Sequence, residues 1–241
     1  IENANLGWRN VPVSEGMRRR IGVPAAVDND VRMYVYGEAT RGAGRGARHV
    51  LGITLGTGLA AAYVEDGRLF YGGGNMAGEL GHLVFDGIPH HCNCGLVGCL
   101  ETVASATGIA RTARWLIERK GRKSVLQEWF PGDGLPKMTA WDVSRAYDAG
   151  DATAAEVYEL VGTYLGKGLA YAVTLFSPDR VVIGGGAAAA GERLLAPVRR
   201  AMERNLIRAY WERIDMVPAA LGDEAGVIGS AMHGLARARG R

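Results

Sequence analysis

Apolar and polar positions vary along the chain in a way that predicts strands and helices in turn. Apolar runs typical of strands lie at residues 21–27, 49–55, 59–64, 180–183 and 214–219. Helical spacing of apolar residues is found at 31–38, 103–120, 151–176, 187–210 and beyond 223. Strands that alternate with helices predict an α/β fold. A hairpin turn signal at Asp66-Gly67 makes the predicted sheet mixed, because a hairpin joins antiparallel strands.

Two glycine-rich or proline-rich stretches interrupt this pattern. Gly42, Gly44 and Gly46 follow the first helical segment and suggest a boundary between two lobes. Residues 121–139 contain Pro131, Pro136, Gly132 and Gly134 close together, so an irregular insertion is predicted there. The remaining segments form one continuous series of strands and helices.

Composition narrows the class of protein. Of the 241 residues 48% are hydrophobic and 22% are charged, which is ordinary for a soluble globular protein. The net charge of +3 is too small to indicate nucleic-acid binding. No apolar run of eighteen residues and no secretory signal is present, so a cytoplasmic protein without membrane contact is expected. Glycine contributes 36 residues, roughly twice its usual share of 7%, which favours ligand loops lined by backbone.

All three cysteines lie within eight positions of one another, at Cys92, Cys94 and Cys99. Free thiols are common in protein cores, but burial alone does not explain this clustering. Thiolates and imidazoles are the usual ligands of tetrahedral zinc, and a structural site takes four of them. The spacing therefore predicts a zinc site with three sulfur ligands. The residues alone leave the fourth ligand open between His82, His90 and His91.

Asp28-Asn29-Asp30 stands where a predicted strand gives way to a predicted helix. An acidic residue there can cap the helix. It can equally be a general base at the mouth of a sheet, where α/β proteins hold their ligands. The sequence pattern does not choose between these two interpretations.

Two glycine turns are candidates for nucleotide contact. Gly56-Thr57-Gly58 joins two predicted strands, where bare N–H groups can cradle phosphate oxygens, although a plain hairpin is the commoner meaning. Gly184-Gly185-Gly186 joins a strand to a helix, a junction that suits either an anion or a simple tight turn.

Taken together, these motifs resemble the ROK family of bacterial glucokinases, other hexose kinases and sugar-responsive repressors. The residues that carry the resemblance are Glu-x-Gly-His at 79–82 and the spacing His-x9-Cys-x-Cys-Gly-x2-Gly-Cys-Leu-Glu that ends at residue 101. The Asn-Asp pair at 29–30, both glycine turns and the segment 223–231 follow in the family's order. The resemblance covers essentially the whole chain and is greatest to the glucokinase branch.

The resemblance implies a two-lobed, actin-like ATPase (ribonuclease H-like) fold with ATP between the lobes. Residues 1–47 and 223–241 would belong to the small lobe, and residues 48–222 would form the large lobe. Asp30 would be the general base, and the hexose hydroxyls would bind to Asn29, Asp30, Glu79, His82 and Glu101. The family's histidine is also a zinc ligand, which selects His82. Gly56, Thr57 and Gly58 would contact phosphate, and Gly184, Gly185 and Gly186 would border adenosine, with Mg²⁺ accompanying ATP.

The expected activity is ATP-dependent phosphorylation of a hexose, with glucose and its 6-hydroxyl as the first choice. Fructose, mannose or an N-acetylated amino sugar is an alternative acceptor, and a sugar-responsive repressor is the alternative from another functional class. A homodimer or homotetramer is expected. The family's small lobe begins with an Asp-Gly-Gly-Thr phosphate loop, and nothing like it occurs in this chain. The chain is therefore expected to be a fragment of a longer kinase or to lack catalytic competence. Asp28, where the family commonly has Glu, is a milder departure.

Overall fold

The computed structural model describes residues 7–239, and a single five-stranded sheet lies at its centre. The strands are β1 (His49–Leu55), β2 (Leu59–Glu65), β3 (Arg68–Phe70), β4 (Arg180–Gly184) and β5 (Asp215–Pro218), in the spatial order β3-β2-β1-β4-β5. The first three strands pair antiparallel, whereas β4 is parallel to both β1 and β5. The mixed sheet is thus confirmed. So is the hairpin at Asp66-Gly67, where both residues have positive φ, at 48° and 72°.

Ten α-helices are found within the described residues. They are α1 (Val13–Ile21), α2 (Asp30–Arg41), α3 (Glu101–Ala104), α4 (Ala106–Lys120), α5 (Leu126–Trp129), α6 (Ala140–Asp148), α7 (Ala152–Phe176), α8 (Glu192–Asn205), α9 (Arg208–Trp211) and α10 (Ala225–Ala238). Short 3₁₀ turns lie at Gly73–Asn75, Leu80–His82, Gly132–Lys137, Gly186–Ala190 and Gly222–Glu224. Within residues 7–239, no helix combines the length and the apolar character that crossing a bilayer requires.

Helices cover both faces of the sheet, because the strands are apolar on both sides. Leu51 and Ile53 of β1 pack into the larger core, which contains residues of α4, α7 and α8. Val50 faces the other way, toward Val35 of α2. A strand buried on both faces needs a nearly continuous apolar sequence, as β1 has. The predicted α/β fold with helices on a mixed sheet is therefore confirmed.

Glycine allows α2 and α10 to approach each other and the sheet. A Cβ at Gly52 would collide with Val35, so the glycine in β1 makes room for α2. At the crossing of the two helices, a Cβ at Gly37 would overlap the Ala225 carbonyl, and one at Gly229 would overlap the Met33 carbonyl. Both helices belong to the predicted small lobe; α2 packs on the sheet of the predicted large lobe, and α10 packs on α2. The division of the chain into lobes stays a prediction, and residues 1–6 and 240–241 lie outside the described part.

Replacing Gly229 with alanine is expected to lower the free energy of unfolding by about 1–3 kcal/mol, because the new Cβ must push against backbone. Gly234 of the same helix has open space around it, so Gly234→Ala is expected to be neutral or stabilising by up to about 1 kcal/mol. Urea denaturation of both variants measures the difference. Equal stabilities for the two would contradict this account of the crossing.

The predicted strand at residues 21–27 is wrong. Ile21 instead ends α1, and Gly22 caps that helix in the left-handed conformation with φ 74°. Residues 23–29 are irregular, and Val23 and Val27 are exposed. An extended segment needs a hydrogen-bonded neighbour, and Pro24 removes one N–H that such pairing would use. Among residues 7–239 no strand pairs with this segment.

Helix boundaries differ from the prediction wherever a cap or a glycine intervenes. The predicted helix 103–120 is two helices, because the Ser105 side chain accepts the Gly108 N–H at 3.0 Å and so begins α4. The predicted helix 187–210 is interrupted at Gly191, which has φ 59°. The predicted irregular insertion at 121–139 includes the short helix α5, whose Leu126 is fully buried. The long helix α7 is confirmed, with Asp151 accepting the Ala154 N–H at 2.7 Å.

Candidate functional site

The four predicted zinc ligands lie together in the loop that precedes α3. The ligand atoms of His82, Cys92, Cys94 and Cys99 all lie within 4.8 Å of one another. Cys94 Sγ is 3.5 Å from Cys99 Sγ, and Cys92 Sγ is 3.7 Å from His82 Nδ1. In a tetrahedral site with Zn–S bonds of about 2.3 Å, neighbouring ligand atoms are about 3.8 Å apart. The donor set and its spacing therefore fit a zinc ion.

Backbone turns bring the sulfurs together. Gly95 and Gly98 have φ of 94° and 93°, a conformation that favours glycine. The Cys92 N–H donates to the Leu96 carbonyl at 2.8 Å and closes the first turn. Burial raises the pKa of the Cys92 thiol, so this sulfur needs a nearby cation to become a thiolate at neutral pH. These turns bring together a set of side chains that could hold a metal ion.

The other two histidines point elsewhere. The His90 ring lies edge-on to Trp115, with 6.1 Å between ring centroids. Burial, together with Arg111 and Arg114, lowers the pKa of His90 to about 4. His91 is exposed, and its backbone bridges to Val97. Among the three candidate histidines, His82 is the one that joins the sulfurs.

Three of the predicted hydroxyl-binding side chains meet beside this cluster. His82 Nε2 is 3.7 Å from Glu79 Oε2, and His82 Nδ1 is 4.0 Å from Glu101 Oε1. Coordination through Nδ1 would leave the Nε2–H free to donate to Glu79, which would fix the ring orientation. The Glu79 side chain is half exposed and the Glu101 side chain is mostly buried. Both carboxylates can accept hydrogen bonds, and both lie beside the His82 ring. Such a group suits a polyhydroxylated ligand.

Asn29 and Asp30, at the start of α2, make different contacts with the first turn of the helix. The Asn29 side chain accepts the N–H groups of Val31 and Arg32 at 3.0 and 3.2 Å, so Asn29 caps the helix. Asp30 is exposed, and among the described residues its carboxylate accepts only the neighbouring Val31 N–H, at 3.0 Å. Because the cap is already supplied, the Asp30 carboxylate is left with an oxygen that can act on a ligand.

Both glycine turns lie at the same edge of the sheet. β1 and β4 are parallel neighbours, with Thr54 opposite Gly184, so the turns that follow them meet at their carboxyl ends. Gly185 has φ 88°, and a Cβ there would overlap the backbone of Leu55. The turn at 56–58 also approaches the hydroxyl-binding group, because a Cβ at Gly58 would lie 2.9 Å from Glu101 Oε2.

Tyr34 connects this edge to the helix that carries Asp30. The two residues are four apart in α2 and lie on one face, separated by a rise of about 6 Å. The Tyr34 hydroxyl lies against Gly184, where a Cβ would collide with it. Burial raises the pKa of Tyr34, with the negative charges of Glu38 and Asp223 adding to the effect, although a backbone hydrogen bond from Gly185 opposes it. Sequence reasoning missed Tyr34, although its position one turn after Asp30 was a usable signal.

Comparison with known proteins agrees with this geometry. A sequence model of the ROK family matches residues 1–237. The glucokinase of Halalkalibacterium halodurans is 41% identical over 229 residues, a stretch that covers 93% of this chain and 68% of that protein.

Two solved structures show the same fold. A ROK family glucokinase from Streptomyces griseus, in complex with glucose and AMPPNP, has a TM-score of 0.78 and 34% identity, covering 96% of this chain and 74% of that one. A ROK family transcriptional regulator, a homologue of the E. coli Mlc protein, has a TM-score of 0.82 and 28% identity, covering 94% of this chain and 55% of that one. The predicted actin-like ATPase fold is confirmed.

Proposed function

Because the chain belongs to the ROK family, we propose that it is an ATP-dependent hexose kinase that phosphorylates the 6-hydroxyl of glucose. The observation that carries the proposal is the position of α2. Its first residue is the exposed Asp30, and Tyr34 one turn later touches the Gly184 turn. Tyr34, one helical turn after the Asp30 carboxylate, thus reaches a glycine turn suited to a nucleotide.

Phosphoryl transfer is accelerated mainly by alignment of the reacting groups and neutralisation of phosphate charge, so the main task of the protein is to position its ligands. Asn29, Glu79, His82 and Glu101 would bind the hexose hydroxyls. Asp30 would accept the proton of the 6-hydroxyl. The hydroxyl oxygen would then form a bond to the γ-phosphorus of ATP while the bond from that phosphorus to ADP breaks. The N–H groups at Gly56-Thr57-Gly58 would hold phosphate oxygens, and Gly184-Gly185-Gly186 would border adenosine. Mg²⁺ would arrive with ATP and neutralise phosphate charge.

A zinc ion held by His82, Cys92, Cys94 and Cys99 would have a supporting role. It would fix the loop between Glu79 and Glu101, and so the groups that meet the hexose. His82 would contribute to both tasks, by binding the metal through one ring nitrogen and orienting Glu79 through the other. Catalysis itself would remain with Asp30 and the glycine turns.

A sugar-responsive repressor is the second candidate, because the ROK transcriptional regulator superposes at least as well as the glucokinase does. The exposed Asp30 favours the kinase, since a sensor has no need of a general base. The expected cytoplasmic location and the homodimer or homotetramer remain predictions. Light scattering of the purified chain will test the latter.

A coupled ATP assay and calorimetry on the complete product of the gene that encodes this chain test the proposal together. We expect glucose to be phosphorylated faster than fructose, mannose or N-acetylmannosamine, and to bind in the absence of ATP. Glucose binding without turnover would favour the sensor, and an electrophoretic shift of promoter DNA by the protein would support it. If no hexose binds and none is phosphorylated, both functions are wrong.

A further inference from the structure

Asp28 and Arg32 form an ion pair beside the proposed base, and both side chains are largely buried. Arg32 Nη1 is 3.3 Å from Asp28 Oδ1, and the exposed fractions of the two side chains are 12% and 6%. Burying two charges is costly unless their remaining polar atoms also find partners, and such a pair adds little stability by itself. The pair therefore calls for an explanation beyond stability.

Asp28 joins three separate parts of the chain. Its Oδ1 accepts the Asn29 N–H at 2.8 Å, within the turn that carries the base. Its Oδ2 accepts the hydroxyl of Tyr71 at 2.6 Å, from the segment that follows β3. His233 of α10 approaches the same oxygen, with Nε2 at 3.7 Å. Burial and the hydrogen bond to Asp28 raise the pKa of Tyr71 to about 12, so the phenol stays a donor.

Arg32 makes a second connection to the same segment. Its Nη2 donates to the carbonyl of Asn75, and its guanidinium lies 5.0 Å from the centre of the Tyr71 ring. Asn75 is a non-glycine residue with φ 60°, a conformation that persists where the surroundings hold it. Arg32 thus fastens α2 to a tightly turned piece of backbone four residues before Glu79.

The far end of this segment is fixed to the sheet. The Ala77 N–H donates to the Tyr71 carbonyl at 3.0 Å, and the Ala61 N–H of β2 donates to the Gly78 carbonyl at 2.9 Å. Residues 71–78 therefore lie between β2 on one side and the start of α2 on the other. Among the described residues Asp30 makes no hydrogen bond to this segment, whereas Asp28 and Arg32, two positions before and after it, both do.

We propose that Asp28 and Arg32 are positioning residues that hold the Asp30 carboxylate and the Glu79 segment at a fixed separation. This inference rests on the proposed kinase function, in which Glu79 binds the hexose and Asp30 removes its proton. Neither side chain touches the reacting atoms. Asp28 acts through the turn at Asn29, and Arg32 acts through the Asn75 backbone. A small displacement between the Asp30 carboxylate and the sugar hydroxyl is enough to slow phosphoryl transfer substantially.

Arg32→Met in the complete gene product removes the guanidinium bonds to Asp28 and to the Asn75 carbonyl while keeping an unbranched side chain; these contacts of Asp28 and Arg32 with residues 71–75 are called the clamp. We expect kcat/KM for glucose to fall roughly 10–100-fold, through a higher KM for glucose and a lower kcat, with the KM for ATP unchanged. Tyr71→Phe, which removes only one hydroxyl, is expected to have the same pattern with a fall of about tenfold or less. Arg32→Lys is expected to recover part of the loss, because it restores the charge beside Asp28 without the planar fork.

Arg41→Met is the matched control, since Arg41 lies in the same helix and contacts Met232 Sδ at 3.4 Å, away from Asp28. It is expected to leave kcat and both KM values unchanged. Hydrogen exchange of the amides at 71–79 provides a readout that does not need activity. Arg32→Met should speed this exchange at least about tenfold relative to Arg41→Met.

The kinetic constants and the hydrogen exchange together distinguish failure of this proposal from failure of the kinase proposal. If the wild-type complete gene product neither binds nor phosphorylates hexose, the kinase function is wrong, and the exchange data alone decide whether the clamp exists. Unchanged exchange in Arg32→Met would then overturn it. If the wild-type chain is active, wild-type kinetic constants in both Arg32→Met and Tyr71→Phe would overturn it, whatever the exchange shows.

Discussion

Asp30→Asn is expected to lower the turnover of glucose by about 10²–10⁴-fold, the range in which general base catalysis contributes. The amide keeps the size of the side chain and its hydrogen bond to the Val31 N–H but cannot accept a proton from the sugar. Because Asn29 caps α2, the helix should stay intact. Glucose affinity is therefore expected to change by less than about tenfold. A coupled ATP assay and calorimetry measure the two effects separately.

Glu203→Gln serves as the control, since Glu203 is exposed on α8 and takes no part in the proposed site. It is expected to have wild-type turnover and affinity. Unchanged turnover in Asp30→Asn would remove Asp30 from the mechanism. A loss of glucose binding as large as the loss of turnover would make Asp30 a sugar ligand without a role in proton transfer.

The features that the sequence predicted are those determined by nearby residues. The cysteines that cluster in the structure are neighbours in the chain, so their spacing alone indicated a metal site. The β2–β3 hairpin followed from two adjacent residues that tolerate positive φ. Each glycine turn was also visible in the sequence, although the meeting of the two turns depends on β1 and β4 being parallel neighbours in the sheet.

The features that it missed depend on contacts between distant residues. Asp28 and Tyr71 are 43 positions apart, and the contact of Tyr34 with Gly184 depends on how α2 crosses the sheet. No periodicity encodes such a contact, because it follows from strand order and helix packing. The wrong strand at 21–27 has the same origin. An apolar run becomes a strand only where a partner is beside it, and the run itself does not show whether that partner exists.

Removal of the proposed zinc is expected to have the second large effect, on both stability and sugar affinity. The purified protein should contain about one equivalent of zinc, and Cys99→Ser should lose it, because a hydroxyl is a far poorer ligand than a thiolate. Cys99 is fully buried and lies two residues before Glu101, the first residue of α3. Its loss should therefore release the loop from His82 to Glu101.

We expect the loss of stability to be a few kcal/mol, less than the roughly 10 kcal/mol or more that zinc supplies to small peptides, because the main core of this protein forms around the sheet. The KM for glucose should rise at least about tenfold, whereas the KM for ATP should change little, since the glycine turns are held by the strands. His90→Gln is the matched control, because His90 lies in the same loop but packs against Trp115. That variant should keep its zinc. Metal analysis, thermal unfolding and glucose kinetics of the wild type, Cys99→Ser and His90→Gln test these expectations. A zinc-free wild-type protein with full activity would show that the cluster does not hold the hexose loop through a metal ion.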